Sequence, residues 1–436
     1  MIIGTGLACA LLVGGFILLV AIRVPVAFAL GIATVPVVLL ELRLTPFIVL
    51  DRMFQSYNSF ILLAVPFFLL AANLMNSGKV TDRLIELARV LTGWMPGGLG
   101  HVNVAVSMLF AGISGSSTAD AAGCGKILIP AMERAGYDKR FAVAITACSS
   151  VMGVIIPPSI LMVVWGGVMQ VSVGALFLGG AIPGLMIGLS LMATVYGYAK
   201  LRDYPIAGRP SFAEFWAALK GAALAMLTPI LVIGGIVGGI VTPTESAIIA
   251  AGYSLILGLF VYRTVKLQDL GHIFYDTGRF ASISLFAIGT ASAFGWMLSF
   301  YNVPRLIVGT MTALEFGPFG TGLVIAALFL IFGLFIDAIP TIIILGTVLM
   351  PVAQAGGLDP ISFAIIGIVA LAFGLVTPPY GLCLLISSAI GGLNVVQVMR
   401  DVTIILLPML AILLLLIVFP EISLWLPRIL MPGAFR

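Results

Sequence analysis

Charge is the scarcest property of this 436-residue chain. Only 9% of its residues are charged, whereas 61% are hydrophobic, and soluble proteins carry about 25% charged residues. So few charges cannot cover a globular surface in water. The net charge of +4 is also too small and too dispersed to indicate nucleic acid binding. We therefore expect an integral membrane protein.

The sequence also lacks the motifs of enzymes and metal sites. It has four cysteines in apolar segments, without CxxC or zinc-type spacing, which favours small buried hydrophobes over disulfides or metal ligands. It has two histidines but no HExxH or GxSxG sequence, and Gly125-Lys126 lacks the flanking residues of a phosphate-binding loop. We expect neither an enzyme nor a cofactor, and transport by such a chain would use an ion gradient.

The amino terminus lacks the basic residues that open a signal peptide. The first basic residue, Arg23, follows the first apolar run instead of preceding it. We interpret this run as a retained span that begins outside and ends at a cytoplasmic Arg23. With this orientation, fifteen Lys and Arg fall in cytoplasmic segments and five in outside segments. This bias predicts that the amino terminus lies outside, on the side away from the cytoplasm.

Long apolar runs supply the membrane spans, since about 20 residues cross about 30 Å of hydrocarbon. The candidate spans are residues 4–22, 24–42, 56–77, 174–199, 219–241, 244–263, 280–302 and 399–427. Segments 81–92, 211–220 and 265–278 mix charges with apolar residues, and we expect them to lie in the interface as short amphipathic helices.

An internal repeat divides the chain. Segments Gly112–Pro158 and Gly333–Pro379 carry glycine and proline at one constant offset of 221 residues. Each copy contains an apolar arm, a break, a second arm, a turn and a helix interrupted at Pro-Pro. We interpret each as a re-entrant hairpin followed by a broken helix, which gives about ten transmembrane helices and two hairpins in an all-α polytopic fold. Five crossings separate the copies, so the repeat is inverted.

We place the first repeat at residues 1–218, with its hairpin at about 97–135 and its broken helix at about 138–171. The second repeat covers residues 219–436, with its hairpin at about 318–357 and its broken helix at about 359–391. Halves of this kind meet at a shared site in membrane transporters.

The break in the first hairpin concentrates small polar residues, at Ser114, Ser116, Ser117 and Thr118. Backbone left unpaired in hydrocarbon is costly unless it lines a cavity or binds something. These residues fit a tip that offers oxygens to a cation and N–H groups to an anion. The alternative is that they only let helices pack closely.

The break in the second hairpin contains Asp337, at the position equivalent to Ser116. A carboxylate inside a membrane is expensive and marks a functional site. The alternative is that Asp337 caps the helix that starts near Pro340.

Each broken helix contains two consecutive prolines, at 157–158 and 378–379. Proline has no N–H group and disfavours helical geometry in the preceding residue, so tandem prolines free several carbonyls, which suit Na+. The half-helix after each pair points a partly positive N-terminus at the same cavity, which suits a carboxylate.

The chain resembles the large membrane subunit of tripartite ATP-independent periplasmic (TRAP) transporters over essentially its whole length. The motifs that carry the resemblance are Gly115-Ser-Ser-Thr-Ala-Asp-Ala-Ala-Gly123, Ile129-Pro130 to Gly136-Tyr137, Gly153-Val-Ile-Ile-Pro-Pro-Ser-Ile160, Pro183-Gly184, Thr242-Pro-Thr-Glu245 and Thr377-Pro-Pro379. The arrangement is also similar to that of the divalent anion/sodium symporters.

The resemblance implies a Na+-coupled elevator transporter that imports a carboxylate such as a C4-dicarboxylate or sialic acid. It implies a periplasmic substrate-binding protein and a small four-helix membrane subunit as partners. Carried onto this sequence, the cation-binding residues are Ser114, Ser116, Gly153, Ile156 and Pro158 for one Na+ site and Gly333, Asp337, Gly374 and Thr377 for the other. The expected substrate contacts are Ser117, Thr118, Ser159, Thr341 and Tyr380.

Other functions remain open at this point. A stand-alone Na+/dicarboxylate symporter fits the same repeat. A membrane-embedded hydrolase would use Ser114 or Asp337 as its nucleophile, although neither histidine is near them in sequence. An ion channel is a third possibility, but a continuous filter sequence is missing.

Overall fold

The computed structural model describes residues 4–206, 208–313 and 316–435, and every regular element in these ranges is helical. In chain order the helices are α1 Thr5–Ala21, α2 Val26–Leu40, α3 Ile48–Tyr57, α4 Phe60–Ser77, α5 Val80–Thr92, α6 Gly98–Ser114, α7 Ser117–Arg134, α8 Lys139–Ser150, α9 Ile160–Met169, α10 Val173–Leu201, α11 Phe212–Val237, α12 Pro243–Val261, α13 Leu267–Phe300, α14 Val303–Ala313, α15 Pro318–Phe335, α16 Ala338–Ala355, α17 Pro360–Gly374, α18 Leu382–Gly391, α19 Val395–Val418 and α20 Glu421–Leu430.

Eight of these helices are long and apolar enough to cross a bilayer. The predicted spans at 56–77, 174–199 and 244–263 correspond to α4, α10 and α12. The all-helical, polytopic fold is thereby confirmed. Two of these eight helices, α15 and α16, are hairpin arms. They are included because the eight helices are chosen by length and apolar composition only.

Two segments that we expected to be separate interfacial helices are continuous with spans. Segment 211–220 opens α11 through a capping box between Ser211 and Glu214. Segment 265–278 forms the start of α13, a helix of 34 residues, which is about 51 Å long and exceeds the hydrocarbon thickness. The expected span 399–427 instead ends at Val418, because the chain breaks at Pro420 before α20.

Two antiparallel arms form each hairpin, and each pair of arms closes at its base. In the first hairpin, α6 and α7 pack together, and the backbone N–H of Leu99 donates to the Tyr137 hydroxyl at 3.2 Å. Burial raises the pKa of Tyr137, which keeps this phenol neutral at the hairpin base. In the second, α15 and α16 pack together, and Thr321 lies against Gly356.

The two hairpin bases lie at opposite ends of α19. Near its start, Asp401 accepts a hydrogen bond from Arg202 at 3.0 Å, and Arg202 also pairs with Asp138 at the base of the first hairpin. Near its end, Ile417 packs against Gly322 at the base of the second hairpin. These contacts lie 16 residues apart on the helix, or about 24 Å. The hairpins therefore enter from opposite faces, as an inverted repeat requires.

Each broken helix packs its second half against the hairpin of the other repeat. Half-helix α18 contacts α7, and half-helix α9 contacts α16. A Cβ on Gly125 would lie 3.2 Å from Ile390, and a Cβ on Gly346 would lie 2.5 Å from Met169. Gly346 follows Gly125 by 221 residues, and Ile390 follows Met169 by the same number, so the two contacts are equivalent in the two repeats. The repeats thus form one interlocked unit, in which α17 is buried along almost its whole length.

Candidate functional site

Both hairpin tips line one cavity of about 370 Å³, which we call the tip cavity. The first tip contributes Ser116, Ser117 and Thr118, and the second contributes Asp337. The half-helices α9 and α18, the middle of α13 and Leu69 of α4 contribute further parts of the wall. The sequence placed these four polar residues in two separate breaks 221 residues apart, and the fold brings them together.

The first tip turns at Gly115, whose φ of +62° lies in the left-handed region that favours glycine. Ser116 follows in an extended conformation as the N-cap of α7, and its hydroxyl accepts a hydrogen bond from the N–H of Ala119 at 3.4 Å. The Ser116 and Thr118 hydroxyl oxygens lie 3.1 Å apart. Two side-chain oxygens therefore stand side by side at the cavity wall.

The first tip rests directly on the backbone of the first broken helix. The N–H of Ile160 donates to the Gly115 carbonyl at 3.2 Å. A Cβ on Gly153 would lie 2.9 Å from the Ser116 carbonyl, closer than real Cβ atoms approach. Glycine at 153 therefore permits backbone-to-backbone contact, which fixes the height of the tip above the broken helix.

The second tip carries the acidic group. Asp337 occupies the N-cap position of α16, but its side chain accepts no capping hydrogen bond from the described part of the chain. Instead, the Thr341 hydroxyl donates to the Asp337 backbone carbonyl at 2.9 Å. Asp337 therefore sits where a capping residue would, with a carboxylate that is open to the cavity and free to bind a cation.

The second tip is also held by glycines. A Cβ on Gly374 would lie 2.7 Å from the Leu330 carbonyl and 2.8 Å from the backbone of Gly333, and a Cβ on Gly333 would lie 2.8 Å from the Leu371 carbonyl. This contact joins α15 to the end of α17. Gly333 and Gly374 thus allow two backbones to approach as closely as those at Gly153 and Ser116.

Four helix N-termini converge on the tip cavity. Within the ranges described, the N–H groups of two residues at the start of each second arm, and of one residue at the start of each half-helix, have no backbone acceptor. These residues, all lining the tip cavity, are Ser117, Thr118, Leu161, Ala338, Ile339 and Leu382. They form three pairs at the offset of 221 residues. One of these groups, the N–H of Ala338, faces the Asp337 carboxylate. N–H groups without a backbone acceptor and helix dipoles of this kind attract an anion.

The breaks at the tandem prolines leave carbonyl oxygens unpaired. In the first break, the carbonyls of Ile155, Ile156, Pro157 and Pro158 accept no hydrogen bond from any residue that the structure describes. In the second break, the same holds for residues 376–380. Both Pro-Pro bonds are cis. Carbonyl, hydroxyl and carboxylate oxygens are the ligands that hard cations prefer, so this donor set fits Na+.

A second cavity of about 680 Å³ adjoins the second tip, and we call it the Arg23 cavity. Asp337 lines this cavity as well as the tip cavity, together with Gly333 and Tyr380. Arg23 supplies the one positive charge among its described lining residues. In the sequence, Arg23 indicates only the orientation of the chain, because nothing there shows that α1 ends beside the second tip.

The remaining predicted site residues do not line either cavity within the described structure. Ser159 is buried and donates to the Val154 carbonyl at 2.6 Å, while accepting from the N–H of Met162. Thr377 donates to the Phe373 carbonyl at 2.7 Å. The residues set back from both walls are Ser114, Gly153, Ile156, Pro158, Ser159, Thr341, Gly374 and Thr377. Their assignment as ligands stays a prediction.

Glu245, in the first turn of α12, is accounted for by helix capping. The Thr242 hydroxyl accepts from the N–H of Glu245 at 3.3 Å, and Glu245 accepts from the N–H of Thr242 at 2.7 Å. This is a capping box with proline in the first turn.

Comparisons with known proteins agree with this architecture. The chain is 38% identical over 379 residues to the sialic acid TRAP transporter large permease protein SiaM of Vibrio cholerae, which covers 87% of this chain and 89% of that protein. It is 38% identical over 421 residues to the sialic acid TRAP transporter permease protein SiaT of Haemophilus influenzae, covering 96% and 68%. The YdaH transporter of Alcanivorax borkumensis shares the fold, with a TM-score of 0.63 at 15% identity over 93% of this chain and 97% of that one.

The family relationship follows from the extent of these matches. Residues 13–422 match the family model described as the tripartite ATP-independent periplasmic transporter, DctM component. The relatives are named transporter permeases and not enzymes. This chain therefore belongs to the DctM family of large membrane subunits of TRAP transporters, as the sequence motifs predicted.

Proposed function

We propose that this chain imports an organic carboxylate together with Na+, by an elevator movement of the two hairpins and two broken helices. The observation that carries the proposal is the convergence of four helix N-termini on the tip cavity. Their six N–H groups without a backbone acceptor favour an anion. Asp337 is the one charged residue among the described residues that line this cavity, so a bound anion needs cations beside it.

Na+ supplies those cations. Asp337, the Ser116 and Thr118 hydroxyls and the freed carbonyls of the two breaks provide oxygen ligands on both sides of the cavity. We assign one Na+ to the first tip and its broken helix, and another to the second tip and its broken helix. Binding of Na+ would cancel the repulsion between Asp337 and a carboxylate, which couples the two ligands.

Arg23 favours a carboxylate substrate in particular. It lies on the same cavity wall as Asp337 and Tyr380, where a guanidinium can bind a carboxylate through two hydrogen bonds. The relatives named for sialic acid and for C4-dicarboxylates fit this class of acid. Tyr380, Ser117 and Thr118 are candidates for contacts with the rest of the substrate.

The contacts between the two repeats favour movement of the hairpins and half-helices together as one rigid body. The reciprocal contacts of Gly125 with Ile390 and of Gly346 with Met169 hold the hairpins and half-helices together. We propose that this body slides past a scaffold that includes α4, α12 and α13. The bias of Lys and Arg supports a periplasmic amino terminus, and membership of the TRAP transporter family supports the bacterial inner membrane. A periplasmic substrate-binding protein and a small four-helix subunit complete the system.

Uptake in proteoliposomes tests this function. Vesicles containing this chain and its small membrane subunit would receive binding protein loaded with a labelled acid, under an inward Na+ gradient. We expect uptake that needs both the gradient and the binding protein. Uptake of free acid without the binding protein would favour a stand-alone symporter. No uptake, or wild-type uptake by both Asp337→Ala and Ser116→Ala, would contradict the proposal.

A further inference from the structure

A separate polar cavity of about 570 Å³ lies outside the site described above, and we call it the amide cavity. Six uncharged polar side chains line it, and they belong to the end of α3, the α3–α4 connection, the end of α9 and the middle of α13. They are Gln55, Ser56, Asn58, Ser59, Gln170 and Ser292. Such a concentration of amides and hydroxyls is unusual in a chain with 61% hydrophobic residues.

Several of these groups are free to bind a ligand. The side chains of Asn58, Ser59 and Ser292 make no hydrogen bond with the residues that the structure describes. Arg52 lies beside the cavity, donating to the Gln55 amide oxygen at 2.9 Å and stacking 4.4 Å above the Trp296 ring. Its Nε atom is buried without a partner in the described structure. The Gln55 amide also donates to the Asp51 carboxylate at 2.8 Å. The cavity thus offers hydroxyls and amides, with the positive charge of Arg52 and the negative charge of Asp51 at its edge.

Three helices connect the amide cavity to the tip cavity. Helix α4 lines the amide cavity through residues 60–62 and the tip cavity through Leu69. Helix α9 begins at the tip cavity and ends at the amide cavity, where Gly167 packs against Leu62. Helix α13 contributes Ser284 to the tip cavity and Ser292 to the amide cavity. The cavities therefore lie at two levels along the same three helices.

An uncharged layer separates the two levels. Ser284 and Ser292 are eight residues apart, which corresponds to about 12 Å along a helix. Between the cavities the three helices contribute residues 63–68, 162–166 and 285–291, and none of these is charged. Thr290, the polar side chain in the α13 part, donates to its own helix backbone. A layer of this kind blocks the passage of a charged solute.

We propose that the amide cavity is a second substrate-binding site, on the outer side of this barrier. It takes the uncharged, hydroxyl-bearing part of an organic acid, with the carboxylate directed toward Arg52, before the acid reaches the tips. Amides and hydroxyls offer both donors and acceptors to sugar-like hydroxyl groups. This inference rests on the proposed transport function, because it concerns the path of the same substrate.

Thiol labelling tests the position of the site. Ser292→Cys and Ser284→Cys are a matched pair on one helix, and each is compared with the parent chain, whose cysteines are mostly buried. The probe is the membrane-impermeant reagent 2-sulfonatoethyl methanethiosulfonate. We expect Ser292→Cys to react from the periplasmic side of oriented vesicles and Ser284→Cys to react from the cytoplasmic side. Reaction of both from one side would overturn the proposal.

Protection from labelling tests the ligand class. We expect gluconate, a carboxylate with many hydroxyls, to slow the labelling of Ser292→Cys about fivefold or more beyond the effect of propionate, which keeps only the carboxylate. Two or three lost hydrogen bonds account for such a factor. Asn58→Leu and the smaller change Ser59→Ala should weaken the protection. Gln268→Leu, which removes an exposed amide at the other end of α13, should preserve it.

The labelling results test the second site, and the uptake results test the proposed transport function. Equal protection by propionate, no protection by gluconate, or full protection in both Asn58→Leu and Ser59→Ala would overturn the second site, even if Na+-driven uptake is observed. Absence of Na+-driven uptake would contradict the proposed function whatever the labelling shows.

Discussion

Ser116 and Asp337 occupy the same N-cap position in the two hairpins, 221 residues apart, and both line the tip cavity. The serine hydroxyl is engaged by the N–H of Ala119, whereas the aspartate side chain accepts no capping bond in the described structure. One repeat therefore uses this position partly to cap a helix. The other repeat leaves a carboxylate free at the site.

The free carboxylate gives the first prediction. Asp337→Asn keeps the shape of the side chain but removes its charge, so Na+ binding at the second tip should weaken. Loss of one charged ligand costs about 1.5–3 kcal/mol, which corresponds to about tenfold or more in the Na+ concentration that half-saturates uptake. Asp82→Asn, an exposed aspartate on α5, is the control. Unchanged Na+ dependence in Asp337→Asn would contradict the assignment.

Close backbone contact at Gly153 gives the second prediction. In Gly153→Ala the new methyl group would meet the Ser116 carbonyl at 2.9 Å, so the tip must shift at a cost of about 1–3 kcal/mol. We expect lower thermal stability in detergent together with reduced uptake. Gly252→Ala is the matched control, because nothing lies within 4 Å of its added Cβ, and helix propensity makes it neutral or stabilising by up to about 1 kcal/mol. Equal stability of the two variants would argue against the contact.

Arg23 gives the third prediction. Arg23→Gln should raise the KM for the delivered acid about tenfold, since a charge-assisted pair with a carboxylate contributes about 1.5–3 kcal/mol. The maximal rate should change less, because Arg23 lies on α1–α2 and not on a hairpin. Arg43→Gln removes an exposed arginine elsewhere and should leave KM unchanged. A KM for Arg23→Gln equal to that of the wild type would show that Arg23 does not bind the substrate.

Arg202 gives the fourth prediction, which concerns stability. Its guanidinium bridges the buried Asp401 and the more exposed Asp138, each at 3.0 Å, and Tyr198 also donates to Asp401. Removal of Arg202 leaves the buried Asp401 without its cation, at a cost of about 1–3 kcal/mol. Asp401→Asn should relieve part of that loss. The changes in unfolding free energy of the two single variants, measured by thermal unfolding, should therefore differ from that of the double variant by about 0.5 kcal/mol or more when added. Additive losses would mean that the pair is not coupled.

Much of this fold follows from local sequence signals. Apolar runs, the constant offset of 221 residues and the Lys and Arg bias predicted an inverted pair of hairpins and broken helices, and α19 between the hairpin bases shows that arrangement. Glycines and prolines mark breaks because their effect on the backbone is local. The expected breaks are present at Gly115, Asp337 and both Pro-Pro pairs.

Other features depend on contacts between distant segments and were not visible in the sequence. The lengths of α11 and α13 exceed their apolar runs, because both helices start in polar sequence. A capping box at Ser211 opens α11, and at the start of α13 the Asp269 carboxylate accepts a hydrogen bond from the N–H of Lys266 at 2.9 Å. Arg23 and Ser292 became part of cavities only through the packing of α1 and α13. Ser159, which the sequence predicted as a substrate contact, points its hydroxyl at Val154 in this structure.

The number of Na+ ions transported with each acid molecule is the quantity that distinguishes coupled transport at both tips, because each tip is assigned one Na+. The measurement uses proteoliposomes with fixed acid concentrations on both sides, and it finds the Na+ gradient at which net flux of the acid stops. We expect a zero-flux condition that corresponds to about two Na+ per acid, and a lower ratio for Asp337→Asn. Net flux that does not respond to the Na+ gradient would contradict coupled transport.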